Sequence, residues 1–450
     1  MKKLGLLWVI LAGGCLFSAA SFAETDRLRE RAIRYDQDYP TVDYSGPARD
    51  NRVWRMLQKI ESGDLKLEWE PRFGYLRSLL KALDIDLSTQ TLVFSKTSLQ
   101  TQHISEKTPR ALYYNDDTYV GYVQNSDLME LTVVDDKLGT VFYGFHNRRE
   151  ASPLLDREGG RCLTCHDTYA MMGGGVPRVM VMSAPVDVPQ DDRPLGSAAT
   201  EVDDRTPIAQ RWGGWYLSGW YLSGKDGKPV EQFGNLPLRT ESRADEGATI
   251  RSLMSTRDNR GNVMGYFDTD HYLTDKSDVV ALLVLEHQAL VQNLITRVGF
   301  KVHSVFPEAL TADEPLKRWA DVDAKKQKEL KPVIEPLIRA MFFADAVPLS
   351  GQVISSSGFP ERFSRRGPRD ADGRSLRDLK LQDHLFQYRL SYMIYTDSYE
   401  SLPAYARDYI DLRVVEVLKG RDASIKLPAE ESEAIAQILG ATLPRFASLL

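Results

Sequence analysis

The sequence predicts an α+β fold, with an antiparallel sheet first, then one short helix carrying a Cys-x-x-Cys-His motif, then a mainly helical C-terminal half. Three observations predict it. Between Thr91 and Phe145, five β-rich segments alternate with turns built from Asn, Asp and Gly. The motif Cys162-Leu163-Thr164-Cys165-His166 fits one helical turn. From Ser277 onward the apolar residues recur at helical spacing.

Composition sets the outer limits. The chain has 450 residues, 42% of them hydrophobic and 27% charged, which is a composition that can bury a core. Its net charge of −6 argues against a nucleic-acid partner, since phosphates need basic surface. Three cysteines are too few for a disulfide scaffold. A mean hydropathy of −0.34 is too low for a multi-span membrane protein.

Taken in order, the chain opens with Lys2 and Lys3, an apolar stretch from Leu4 to Phe17, and the small-residue end Ser21-Phe22-Ala23. This is the layout of a signal peptide, with cleavage expected after Ala23 and export to the periplasm. The apolar stretch is too short for a stable span, so no membrane span is expected after cleavage. Removal takes Cys15 with it and leaves Cys162 and Cys165 as the only cysteines of the mature chain. Val53, Met56, Leu57 and Ile60 fit one helix, and Tyr75, Leu76, Leu79, Leu80 and Leu83 another. The strands follow: 91–95, 111–114, 119–123, 128–134 and 140–145. After the motif, Gly173-Gly174-Gly175 breaks the helix, and Val179 to Met182 reads as a strand. Residues 184–208 read as a surface loop. Trp212 to Tyr221 is the densest aromatic run and suggests a strand pair, with two more β segments bracketing Lys225-Asp226-Gly227-Lys228. A helix is expected after Ser277 or Asp278, a charged helix over 317–331, an amphipathic one over 333–346, and two more over 402–422 and 428–440. Asp370 to Ser375 superficially suggests a calcium loop, but position 12 is Leu381, so an ordinary turn is expected. The expected organisation is a signal peptide over 1–23, a β-rich region over 24–300 containing the motif, and a helical region over 301–450 packed on the same core.

The motif carries the chemistry. Two thiols three residues apart can each add to one vinyl group of a haem, and the adjacent imidazole then lies beneath the iron. Cys162, Cys165 and His166 are therefore the expected attachment site of one covalent haem c, with His166 as proximal ligand and the motif helix as the haem-binding helix. The competing readings are a very small disulfide loop, a thioredoxin-like pair, and a zinc site, which would need a second pair of ligands. His287 is the candidate sixth ligand, on an apolar stripe with Leu283, Leu290 and Leu294. His271 is a weaker candidate. Met171, Met172, Met180 and Met182 offer alternatives, and an open sixth position is another. Arg157, Arg161 and Arg178 flank the motif and could pair with haem propionates. The aromatic run could form a haem wall or an aromatic β-core.

The stretches Arg211 to Tyr216, Asp278 to Gln288, Gly373 to Asp378, Ser391 to Tyr395, Ser95 to Gln100 and Asn115 to Gly121 resemble those of a family of exported bacterial proteins, uncharacterised and cytochrome c-like, that carry a single haem-binding motif. The resemblance implies haem-binding roles for Cys162, Cys165 and His166 and one integrated architecture, and it transfers no activity. Two function classes follow from the motif and the length. One is a periplasmic electron-transfer cytochrome docking on a periplasmic redox partner protein. The other is a haem enzyme (a peroxidase, oxygenase or small-molecule oxidoreductase), because the chain is much longer than one haem needs for wrapping.

Overall fold

A seven-stranded antiparallel sheet organises the first half of the chain in the computed structural model, which describes residues 35–48, 50–149, 155–158, 160–166, 175–184, 199–224, 263, 266–307 and 317–450. Its strands are β1 (Thr91–Val93), β2 (Arg110–Tyr114), β3 (Thr118–Tyr122), β4 (Leu128–Asp135), β5 (Gly139–His146) and β6 (Leu155–Arg157), laid side by side in chain order. Two short strands, β7 (Met182–Ser183) and β8 (Thr200–Glu201), pair separately, and β9 (Trp215–Tyr216) closes the large sheet against β1. Local pairing explains the meander: short polar turns at Asn115-Asp116-Asp117 and Asp136-Lys137-Leu138 let each strand fold back on its predecessor. The five β-rich segments of the sequence are all strands here. The signal-peptide stretch, Met171, Met172, Gly173, Gly174 and the 225–228 turn lie outside the described residues.

Along β4 the burial alternates, with Met129, Leu131 and Val133 buried and Leu128, Glu130 and Thr132 less so. The buried face meets α1 (Arg52–Glu61) and α2 (Leu76–Ala82) in a core running from Tyr35 to Phe300. The opposite face carries Arg110, Gly121, Glu130 and Gly144, and it receives α3 (Gly160–His166), the motif helix.

The second half is built around α4 (Val279–Val305), a 27-residue helix. Asp278 caps it: Oδ1 accepts from Val280 N at 2.9 Å and Ala281 N at 3.1 Å. Its other oxygen accepts from Ser355 Oγ and from the amides of Ser356 and Ser357, so the fully buried carboxylate is satisfied on both sides. By length and composition α4 could cross a membrane, yet 89% of its most apolar window is buried inside the protein. It is apolar nearly all round because it is the axis of a core. That core runs from Val93 to Phe446 and joins residues from both sides of position 300, so α4 carries the chain through the expected boundary.

The C-terminal half differs from the expectation in two places. One helix, α5 (Ala324–Met341), replaces the charged and amphipathic pair. Its Pro332 and Pro336 lie outside the buried stripe of Leu330, Ile334, Leu337 and Met341, so packing outweighs their helix-breaking tendency. Strands also appear in this half, where mainly helix was expected. With β10 (Trp220–Ser223), β11 (Leu349–Ile354) and β12 (Leu379–Phe386) form a second antiparallel sheet. β11 and β12 lean on partners distant in sequence, so short-range periodicity carries little trace of them. Among the described residues this half is completed by α6 (Phe359–Arg365), a single helical turn over Asp397–Glu400, and α7 (Ala404–Leu418) and α8 (Ala429–Thr442), the last two where expected. Asp370 to Arg374 is a turn, with Asp370 Oδ1 accepting the amides of Asp372 and Arg374.

Candidate functional site

The motif helix follows the edge of the large sheet. β6 pairs with β5, and Glu158 N donates to Phe142 O at 2.8 Å, fixing the chain just before α3 begins. Leu163 is buried in the sheet-side core and Cys162 packs against it. Cys162 and Cys165 are both free thiols. Burial pushes the Cys162 thiol up to about 12 and raises Cys165 as well, so neither has the thiolate character of a redox-active pair.

His166 is held on one side only. Its Nδ1 lies 2.8 Å from the carbonyl of Arg178, and a carbonyl can only accept, so Nδ1 carries the proton. Arg178 N returns a bond to His166 O at 3.2 Å, which locks the two residues together. The Phe142 ring lies 4.6 Å from the imidazole, centroid to centroid. Burial lowers the His166 pKa to about 4, so the ring is neutral near pH 7. Its Nε2 has no hydrogen bond among the described residues and keeps a lone pair for a ligand bond. A backbone carbonyl on one ring nitrogen is the usual way a metal-binding histidine is oriented.

Around it lies a polar patch on the sheet face. Arg110 of β2 reaches Glu130 of β4 at 3.3 Å. Ser98 Oγ donates to the other Glu130 oxygen at 2.8 Å and accepts from Gln100 N at 3.1 Å. Glu130 is flanked on both neighbouring strands by glycine, Gly121 and Gly144. A Cβ on Gly121 would stand 2.9 Å from Arg110 Nε, so the glycine makes room for the guanidinium. Beside His166, Arg178 is 4% exposed and pairs through NH1 with Glu201 of β8.

This patch is under-satisfied. Arg178 Nε and NH2, Arg110 Nε, and both amide atoms of Gln100 are buried without a hydrogen-bond partner. Buried donors of this kind are rare in native proteins and call for a group to meet them. A haem fits the requirement: two thiols and an unengaged imidazole nitrogen on one helix, an aromatic ring beside the imidazole, and cationic donors that would meet propionates. Of the three arginines expected to serve them, Arg178 has donors to spare. Arg157 is committed to the carbonyls of Gly46 and Tyr44, and Arg161 pairs with Glu158. Arg110, Gln100 and Glu130 were not expected from sequence. The available signals were the interior glycines of β3 and β5 and a polar residue alternating within β4.

His287 requires a correction. Its Nδ1 lies 2.7 Å from Asp204 Oδ2, its Nε2 lies 2.8 Å from Ser391 Oγ, and its ring stacks on Phe343 at 4.1 Å. Both nitrogens are engaged and the side chain is fully buried, so no lone pair is free to be a sixth iron ligand. The Asp–His–Ser order has the connectivity of a hydrolytic triad, but Ser391 is 0% exposed and no substrate could reach its hydroxyl. The neighbouring groups complete a satisfied network. Arg211 donates to Glu286, Asp204 O and Thr206 O, and Trp212 Nε1 donates to Glu286 at 2.7 Å. Trp212 adopts a left-handed backbone (φ 67°) and is held there by that bond and by full burial.

The aromatic run is not a strand pair. β9 belongs to the large sheet and β10 to the small one, so the run stitches the two together. Trp212, Trp215 and Tyr221 lie in the helix-side core, and Trp215 Nε1 donates to Met182 O at 2.7 Å. Val179 is tied at both its N–H and its C=O to Asn293 of α4, and the expected strand there is reduced to Met182–Ser183. His271 sits beside Asp268 at 3.7 Å and is half-exposed. Among the described residues, no group of three or more His, Cys, Asp or Glu could hold a bare metal ion. No family model matches the chain, and neither the curated proteins nor the solved structures contain a match.

Proposed function

We propose that the protein is a periplasmic monohaem c-type cytochrome acting in electron transfer. In this reading one haem is attached through Cys162 and Cys165, with His166 as proximal iron ligand. One observation carries the reading: the motif's imidazole is neutral and oriented by the Arg178 carbonyl, with Nε2 unengaged, beside buried cationic donors that lack partners. In attachment, each Sγ–H would add across one vinyl double bond of the haem, sulfur to one carbon and hydrogen to the other. The protonated thiols and their spacing on one helical turn suit that addition. The bound haem would supply a one-electron couple at its iron. Arg178 and Arg110 would hold the propionates, Phe142 would restrict the imidazole, and the Arg178 carbonyl would hold the proton on Nδ1. The acidic net charge suits docking on a basic redox partner protein in the periplasm.

The test is production of the full-length precursor in a bacterial host with haem-attachment machinery, followed by denaturing electrophoresis with haem staining. Haem should migrate with the protein, and Cys162→Ala combined with Cys165→Ala should abolish the signal. Haem that dissociates on denaturation, or that survives loss of both cysteines, overturns the assignment. Low-spin six-coordinate iron supports the carrier role. A high-spin resting state that readily binds cyanide would instead assign the haem to an enzyme.

A further inference from the structure

A cleft with a volume of about 720 Å³ lies away from the motif. It opens between α2, the Asp86–Thr89 segment, the far end of β2, and α6. β2 itself joins the two places: Arg110 stands in the patch near His166, and Tyr114, about 13 Å further along an extended strand, lines the cleft.

The walls have two characters. Leu80, Ile85, Phe359 and Phe363 supply apolar surface. Five basic and three acidic side chains line the remainder. Most cations are already paired: Arg366 with Asp84 at 3.0 Å, Arg362 with Asp86 at 3.6 Å, and Arg77 with Glu70 at 3.3 Å. Lys81 has no ion-pair partner among the described residues. The base of the cleft is Arg377. It is 4% exposed, bonded through NH2 to Asp116, and held between the Phe363 and Tyr392 rings at 4.8 and 4.3 Å. Its NH1 is buried with no hydrogen-bond partner.

A guanidinium fixed between two aromatic rings, with one donor left open, is a preorganised oxoanion receptor. Gly367 makes room for it, since a Cβ there would stand 3.0 Å from Arg377 Cδ. Ser364 Oγ donates to Arg377 O at 2.9 Å and fixes its backbone. We propose that this cleft binds a small amphipathic organic oxoanion, a carboxylate or phosphate on an aromatic or aliphatic body. The anion meets Arg377 NH1 with Lys81 nearby, and the body lies on Phe359, Phe363 and Leu80. The site stands independently of the haem reading.

The experiment is calorimetric titration of the purified full-length protein with phenyl phosphate, benzoate, inorganic phosphate and benzyl alcohol. Phenyl phosphate or benzoate should bind saturably, inorganic phosphate about tenfold more weakly for want of the apolar body, and benzyl alcohol not at all. Arg377→Gln should weaken the aromatic anion about tenfold or more. Lys81→Glu, on the exposed rim, should weaken it by a smaller factor with an unchanged melting temperature, and it decides the matter if Arg377→Gln fails to fold. Absence of saturable binding by both aromatic anions overturns the proposal. So does equal affinity for benzyl alcohol, or unaltered affinity in a folded Arg377→Gln protein or in Lys81→Glu.

Discussion

His166 and His287 are both imidazoles oriented by hydrogen bonds, and the contrast between their surroundings separates a place prepared for a ligand from a place already complete. His287 is bonded at both nitrogens, and the groups around it, Asp204, Ser391, Arg211, Trp212 and Glu286, meet one another's hydrogen-bonding needs. His166 is bonded at one nitrogen and sits near Arg178 and Arg110, whose buried polar atoms are left over. Burial differs by degree, His287 being fully buried and His166 partly so. The difference lies in satisfaction: a closed polar network holds a core in one arrangement, whereas buried donors without acceptors cost free energy until something meets them.

Three substitutions test that contrast, from the largest expected effect downward. Arg211→Met leaves Glu286 as an unpaired carboxylate in the core, and unfolding free energy should fall by about 3–5 kcal/mol in denaturant titrations. A loss below about 1 kcal/mol would show that the network is not closed as described. His287→Ala empties the middle of that network and should cost about 2–4 kcal/mol, while the visible spectrum of the haem-loaded protein stays the same. A shifted Soret band in that variant would bring His287 back as an iron ligand and erase the contrast. Arg178→Gln removes a cation whose donors are mostly unused. The apoprotein should lose less than about 1 kcal/mol. The midpoint potential of the haem-loaded protein should fall, because a nearby positive charge favours the reduced iron. An unchanged potential would remove Arg178 from the haem's surroundings.

Much of the fold was legible because it rests on local signals. The strands between Thr91 and Phe145 turn on short polar connections, and the cap at Asp278 precedes an unbroken apolar run. β11 and β12 were not legible, because β11 is stabilised by pairing with β10, over a hundred residues upstream, and β12 by pairing with β11 in turn. The two helices expected over 317–346 became one because a buried stripe continues past Pro332 and Pro336. The site divides in the same way. The motif, a five-residue spacing, was readable at once. Arg110, Gln100 and Glu130 were not, since strand pairing brings Arg110 and Glu130 to that face and Ser98 links Gln100 to Glu130.

The sequence by itself determined the sheet-then-helix order and the Cys162, Cys165 and His166 constellation, because turn chemistry, periodicity and motif spacing act over a few residues. Tertiary structure decided which histidine is available. An apolar stripe puts His287 in the core, but Asp204 and Ser391, from distant parts of the chain, occupy its nitrogens. Only the packed chain brings the Arg178 carbonyl to His166 and leaves Nε2 unengaged, because whether a buried polar atom is satisfied depends on neighbours that one stretch of sequence does not contain.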